Sequence, residues 1–146
     1  MRSFILLAAL LLTALPAQAD RAYNKFGKAL EETLKVEEDG ERRALIEELE
    51  AKYRDRFVRG SGYVMEVEDR WGDVIVFTKA ERVEKPGTGS GKVQYDYTGA
   101  QSKIYVERED REKARALKRG QKVYFFGYFR DIMKGMIIVR KAKITE

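Results

Sequence analysis

The sequence contains no cysteine and no histidine, and only two prolines among its 146 residues. Without cysteine there is no disulfide and no thiol nucleophile. Without histidine the usual acid–base catalyst and the usual zinc sites are also missing. An enzyme of this composition would depend on carboxylates, lysine, tyrosine or hydroxyl groups. The composition therefore favours a non-catalytic protein held together by its hydrophobic core, and we predict no cofactor and no metal site.

A long hydrophobic run is lacking near the N terminus. The apolar stretch Phe4–Leu12 has nine residues, whereas a helix that spans a bilayer needs about 20. Pro16 follows it, and Ala17–Ala19 places small residues at the positions that signal peptidase reads. This pattern predicts a signal peptide over residues 1–19 and a mature chain that starts at Asp20, in the periplasm or secreted. A retained membrane anchor is the alternative, and the lack of cysteine excludes lipid attachment.

Charge of one sign is only in mild excess. Lysine and arginine number 29 against 24 acidic residues, a net charge of +5. Removal of the predicted signal peptide takes away one basic residue and leaves +4 (28 minus 24). Such an excess favours an anionic partner weakly, and it is far from the dense basic stripe of many nucleic-acid-binding proteins. The remaining 127 residues (146 minus 19) suffice for one ordinary domain.

Two amphipathic helices are predicted at the start of the mature chain, within residues 20–56. The first runs from Asp20 to Glu38, and Asp39-Gly40 is expected to end it. The second runs from about Glu41 to Arg56. Spacings of three and four place the larger apolar residues of each helix on one face, at Tyr23, Phe26, Leu30 and Leu34 and at Leu45, Ile46, Leu49 and Tyr53. Both faces need a covering surface.

From Phe57 onward the pattern is typical of β-structure, and a barrel domain is predicted over residues 57–146. Alternating apolar residues predict five strands, with a charged helix from about Glu109 to Lys118 between the third and fourth. This order is that of a five-stranded OB-fold barrel, whereas an SH3-like barrel lacks the helix. The predicted strands are Tyr63–Val67, Asp73–Val83, an interrupted strand that joins Val93–Tyr97 to Ile104–Val106, Lys122–Arg130 and Met136–Ile144. Val64 and Val67 are an odd number of positions apart, as are Val139 and Ala142, so each pair would face opposite sides of a regular strand. A bulge within each pair would bring both residues to one side and bend the strand around a small barrel.

The barrel region resembles the tRNA-anti-like OB domains of exported bacterial proteins. The resemblance covers roughly Tyr53 to Ile144. It rests on Tyr53, Gly62–Val67, Leu117–Val123, Gly127, Ile137, Val139, Ala142 and Ile144. These are fold-determining glycines and apolar positions, none of them catalytic. The family name implies nucleic-acid binding by analogy only. The insertion between Glu84 and Ser102 and the two leading helices depart from the family pattern.

Ligands of OB folds usually lie across strands two and three, between the loops that join strands one to two and four to five. Aromatic rings beside cations at these places could stack bases or sugars and contact phosphates. The candidate ligand-binding residues are Arg70, Trp71, Arg82, Tyr95, Tyr97, Tyr105, Arg130 and Lys134. The alternative is that Trp71 folds back on the barrel as a lid, and that the tyrosines only form outward-facing rows.

The fourth strand is apolar on both faces. Val123, Phe125, Gly127 and Phe129 share one face and are expected to line the barrel. The residues of the opposite face, together with two residues of the first strand, are expected to form an outer apolar patch that another surface must cover. This outer patch consists of Tyr63, Met65, Tyr124, Phe126 and Tyr128. We expect the leading helices to pack there; a partner protein or a second copy of the chain is the alternative.

A metal-dependent secreted nuclease is a less favoured interpretation, because such enzymes also use an OB barrel. Asp69 and Asp73 could approach each other with Arg70 and Arg82 nearby, but the acidic motif of those nucleases is absent. The sequence therefore predicts an exported, non-catalytic OB-fold binding module. A protein partner is slightly favoured over single-stranded nucleic acid or an oligosaccharide.

Overall fold

The computed structural model of this chain describes residues 23–86 and 91–145. Helix α1 is described over residues 23–34, and α2 spans Asp39–Tyr53. The expected break at Asp39-Gly40 is wrong, because these two residues begin α2 and the break lies at 35–38. Asp39 and Glu41 supply negative charge to the first turn of α2, where the helix dipole favours it. The predicted signal peptide and the start at Asp20 lie outside the described residues.

Five strands follow the helices, and most of them are longer than predicted. The two pieces of the third strand are continuous. The predicted helix between the third and fourth strands is present but shorter, as a 3-10 turn at Arg108–Asp110 and the helix α3 at Arg111–Arg115. The strands are β1 Phe57–Arg70, β2 Asp73–Glu84, β3 Tyr95–Val106, β4 Lys122–Met133 and β5 Met136–Thr145.

The strands close into a barrel in the order β1-β2-β3-β5-β4. All neighbours pair antiparallel except β3 and β5, which are parallel. This order, with a helix between β3 and β4, is the OB fold. The predicted bulges are confirmed: the β1–β2 register shifts between Val64 and Glu66. On β5, Val139 and Ala142 pair with Ile104 and Val106 across another shift.

Helix α1 closes one end of the barrel. Tyr23, Phe26 and Leu30 are buried in the same core as the inward row of β4. The Tyr23 ring meets Phe125 edge-on at 5.3 Å, and the Phe26 ring lies 5.0 Å from Phe129. Phe26 also contacts Tyr53 of α2 at 4.5 Å. The large rings of β4 leave an apolar opening at this end, and α1 fills it.

This placement corrects the expectation that the leading helices cover the outer patch. The apolar side chains of α1 pack into the barrel end and do not cover the outer patch. Tyr124 and Tyr128 therefore remain 42% and 48% exposed on the outside. Tyr63, Met65 and Phe126 are half-buried. The patch therefore keeps only its second interpretation, a surface for a partner, which stays a prediction.

Polar contacts fix the helices to the strands. The Tyr23 hydroxyl shares a buried hydrogen bond with Ser102. Glu31 Oε1 accepts from the Ala100 amide at 2.6 Å, and Glu50 Oε1 accepts from the Ile132 amide at 3.0 Å. Gly60 allows the close approach of Tyr23, because a Cβ there would lie 2.6 Å from its ring. No helix in the described part of the chain has the length and apolar character needed to cross a membrane.

Candidate functional site

The distal half of the β2–β3 hairpin carries an arginine between two aromatic rings. A register shift between Lys79 and Glu81 separates this half from the barrel wall. Arg82 pairs with Tyr97 across the hairpin. The Arg82 guanidinium lies 4.8 Å from the ring of Tyr63 on β1 and 4.3 Å from that of Tyr95 on β3. Both distances are within the range of cation–π contacts.

Tyr97 connects this arginine to the segment before β4. Its ring lies 6.0 Å from that of Tyr63, and the Arg119 guanidinium lies 5.9 Å from it. A Cβ at Gly120, which has a φ of +86°, would lie 2.6 Å from the Tyr97 hydroxyl. Glycine therefore serves both the left-handed turn and the close approach of the ring. Neighbouring Lys79 donates to the Tyr97 carbonyl at 3.3 Å.

Lys122 extends the same surface onto β4. Its Nζ lies 5.9 Å from the Tyr63 ring and 5.4 Å from the Tyr124 ring. Four rings and three cations thus form one continuous surface on β1, the hairpin and β4. We call it the tyrosine cluster, and it consists of Tyr63, Arg82, Tyr95, Tyr97, Arg119, Lys122 and Tyr124.

A second group of rings and cations lies on β2, β3 and β5. The Lys103 Nζ is 5.8 Å from the Phe77 ring and 5.4 Å from the Tyr105 ring. The Arg140 guanidinium lies 4.3 Å from the Tyr105 ring. We call Phe77, Lys103, Tyr105 and Arg140 the Tyr105 cluster.

No carboxylate of the described residues neutralises the cations of the two clusters. Within residues 23–86 and 91–145, Arg82, Lys103, Arg119, Lys122 and Arg140 have no carboxylate oxygen within 4.0 Å. Some cations elsewhere on the described surface are paired, as is Arg115 with Asp69 at 2.7 Å. Arg119 also donates to the Met65 carbonyl at 3.1 Å, which does not neutralise its charge. A cation that contacts rings or a neutral carbonyl keeps its charge available for an anion. Both clusters can therefore offer a ring face and a positive charge to the same ligand.

The predicted ligand-binding residues fall into separate places. Arg82, Tyr95 and Tyr97 lie together in the tyrosine cluster, whereas Tyr105 belongs to the other one. Arg70 pairs with Glu68 at 3.4 Å, and Arg130 lies 3.8 Å from Asp55. Lys134 occupies the β4–β5 turn with a φ of +51°.

Trp71 stands apart from all of these in the β1–β2 turn, with a φ of +55°. The alternative of a Trp71 lid is wrong, because the side chain is 97% exposed. A left-handed residue at the tip of a tight turn points its side chain into solvent.

Five contributing residues were missed by sequence reasoning: Phe77, Lys103, Arg119, Lys122 and Arg140. Two signals could have indicated some of them. Lys103 and Tyr105 alternate on one strand, as do Lys122 and Tyr124, so each pair shares a face. The contacts of Arg119 and Arg140 cross between elements, and no spacing in the sequence reveals them.

The two carboxylates considered for a nuclease site accept hydrogen bonds from arginines of the α3 region. Asp69 Oδ2 accepts from Arg115 Nε at 2.7 Å, and Asp73 Oδ1 accepts from Arg111 at 3.3 Å. The hydrogen bond that Arg115 donates to Asp69 also raises the pKa of Arg115. Among the described residues there is no group of three potential metal-ligating side chains. Asp69 and Asp73 thus help to attach the α3 region to the barrel.

Comparisons with known proteins do not place the chain in a family. A family model described as defensin propeptide matches residues 1–42, and this match ends before β1 begins. No curated protein matches the sequence.

The solved structures to which the chain is similar include a single-stranded DNA-binding protein, a protein bound to single-stranded DNA and a protein complex. The small single-stranded DNA-binding protein of Streptomyces coelicolor is 12% identical, with 64% of this chain and 93% of that chain covered and a TM-score of 0.42. Schizosaccharomyces pombe Pot1pC bound to single-stranded DNA is 15% identical, with 63% and 78% covered and a TM-score of 0.39. The S. pombe Stn1–Ten1 complex is 14% identical, with 62% of this chain and 59% of that chain covered and a TM-score of 0.38. This chain therefore spans less than two thirds of that one. All three TM-scores are below 0.5, and these likenesses establish no shared function.

Proposed function

We propose that this protein binds single-stranded nucleic acid through the tyrosine cluster, without catalysis. The observation that carries the proposal is the position of Arg82 between the rings of Tyr63 and Tyr95, with no carboxylate partner among the described residues. Exposed rings can stack bases of any sequence, and each stacked base contributes about 1–3 kcal/mol. The neighbouring cations can contact the phosphates of the same strand.

Single-stranded nucleic acid fits this surface better than the other partners. A protein partner, slightly favoured by the sequence, is expected to cover apolar surface and to pair its carboxylates with only some of the cations. An oligosaccharide could stack on the tyrosines, but a neutral sugar would leave Arg82, Arg119 and Lys122 without an anion. A duplex would hide the base faces that the rings can contact. The ligand that uses rings and cations together is a strand with unstacked bases and phosphates.

The proposal is tested by titrating a fluorescent oligothymidylate with wild-type protein and with Arg82→Ala, at several salt concentrations. Arg82 is exposed, so its replacement should leave the fold intact. We expect Arg82→Ala to weaken binding at least about fivefold, the equivalent of one lost stacking or charged contact. The slope of log K against log salt should fall by about 0.7 if one phosphate contact is lost.

The matched control is Arg43→Ala, which removes the same charge from an exposed position on α2. It should bind as the wild type does. Wild-type protein that binds no oligothymidylate at low salt would refute the proposal. If Arg43→Ala binds the oligothymidylate as weakly as Arg82→Ala does, the binding is unspecific charge attraction and the tyrosine cluster is not its site.

We also propose that the protein acts in the periplasm or outside the cell. The support is the sequence pattern of residues 1–19, with its short apolar run and the small residues before Asp20. Membership of the tRNA-anti-like family is likewise a proposal, supported by the glycine and apolar positions given above. N-terminal sequencing of the protein recovered from a periplasmic fraction tests export, and a start at Asp20 is the expected result.

A further inference from the structure

The outer row of β4 connects the two clusters. Tyr124, Phe126 and Tyr128 alternate with inward residues and lie on the outside of the barrel. Tyr124 already belongs to the tyrosine cluster through Lys122. Residues two apart on a strand are separated by about 6.6 Å, so the row extends the tyrosine cluster by about 13 Å from Tyr124 to Tyr128.

At its far end, this row reaches the Tyr105 cluster. Tyr128 pairs in register with Arg140 on β5, and the Arg140 guanidinium lies 4.3 Å from the Tyr105 ring. Phe57 of β1 lies beside the row, with its ring 6.0 Å from Phe126 and 5.8 Å from Tyr128. Phe57 is 51% exposed. The outer row of β4 and then Arg140 of β5 therefore lie between one cluster and the other.

Positive charge accompanies the rings along the row. Lys143 of β5 pairs in register with Phe126, which lies two residues from Tyr128, the partner of Arg140, on the same outer face. Within the described residues, neither Lys143 nor Arg140 has a carboxylate within 4.0 Å. Two cations therefore lie on the outer face beside the exposed rings and can contact phosphates of a strand that crosses it.

We infer that one nucleic-acid strand follows this outer row, from the tyrosine cluster across Tyr124 and Tyr128 to Arg140 and Tyr105. This inference rests on the proposed function and adds the path and the extent of the ligand. The strand would cross the outside of β4 and β5, away from the β1–β2 turn that carries Trp71. The ion-paired Arg70 and Arg130 of the two loops make the loop route less suited to a phosphate chain.

The path makes binding depend on strand length. A strand of about 4 nucleotides is expected to occupy the tyrosine cluster, which has more rings and more cations, whereas one of about 16 can reach both clusters; these are the limits of OB-fold site sizes. The experiment measures the affinity of wild type, Arg82→Ala, Arg140→Ala and Tyr128→Ala for oligothymidylates of both lengths. Arg140 and Tyr128 are exposed, and melting curves check that each variant is folded.

We expect Arg82→Ala to weaken binding of both lengths. Arg140→Ala and Tyr128→Ala should weaken the long strand at least about fivefold and leave the short strand unchanged. Arg43→Ala should change neither. If Arg140→Ala and Tyr128→Ala bind the long strand as the wild type does while Arg82→Ala does not, the path is wrong and the proposed function stands. Equal losses on both lengths also contradict the path. If wild type binds neither strand, the proposed function and the path fall together.

Discussion

The two faces of β4 have nearly the same aromatic content and opposite surroundings. Phe125 and Phe129 point inward and are fully buried, because Tyr23 and Phe26 of α1 close the barrel end over them. Tyr124 and Tyr128 point outward and stay more than 40% exposed. The inner rings contact other apolar rings, whereas Tyr124 has a cation beside it. The difference indicates that the inner row stabilises the fold and that the outer row is available for a ligand.

The largest expected effect compares neighbouring residues of that strand. Phe125→Ala should lower the free energy of unfolding by about 3–5 kcal/mol, because it leaves a cavity in a closed core. Tyr124→Ala should lower it by less than about 1 kcal/mol, since the ring is 42% exposed and lies outside the core. Urea denaturation of both variants measures the two values. Similar losses would mean that the outer row also carries the fold.

An intermediate effect appears at high pH and concerns the end closed by α1. Burial raises the pKa of Tyr23 above its ordinary value of 10.0, and the hydrogen bond with Ser102 opposes this to a smaller extent. The unfolded chain therefore loses the tyrosine proton at a lower pH than the folded one. The contribution of neutral Tyr23 to the free energy of unfolding is complete below about pH 10. Above that pH it decreases by about 1.4 kcal/mol per pH unit.

Tyr23→Phe isolates this contribution, because it removes the ionisable hydroxyl. At neutral pH the variant should be less stable by about 0.5–1.5 kcal/mol, the contribution of a hydrogen bond. Above pH 10 that difference should shrink and then reverse. The measurement is the free energy of unfolding of both proteins from pH 8 to pH 11. A difference that is constant over this range would show that Tyr23 is accessible to water in the folded state.

The smallest expected effect concerns Trp71, which is 97% exposed in the β1–β2 turn. Trp71→Ala should change the free energy of unfolding by no more than about 0.5 kcal/mol. Its affinity for an oligothymidylate should equal that of the wild type, because the proposed path avoids this turn. Thermal melting and the titration described above measure both. A large loss of affinity would move the ligand to the loop side of the barrel.

Much of the barrel could be predicted from the sequence, since each strand shows its own alternation and each bulge an odd offset. The two rows of β4 were assigned correctly for this reason. The position of α1 could not be predicted in the same way. The stripe formed by Tyr23, Phe26 and Leu30 shows that the helix needs a cover, but it does not distinguish the open end of a barrel from the outside of its wall.

The candidate site was only partly predictable. Arg82, Tyr95 and Tyr97 were selected because aromatic and basic residues on strands two and three are typical of OB-fold ligand faces. Lys122 was missed because its contact with Tyr63 depends on the closure of β4 against β1, although its contact with Tyr124 lies along one strand. Charges that become neighbours only through barrel closure are not visible in a local pattern.

Ultraviolet cross-linking of a thymine-rich single strand to the wild-type protein, followed by mass spectrometry of the linked peptides, tests the central claim most directly. We expect the cross-links at Tyr95, Tyr97 and Tyr124, the exposed or half-buried rings beside unpaired cations. Cross-links that occur only at Trp71, or only on the α2 surface, would contradict the account.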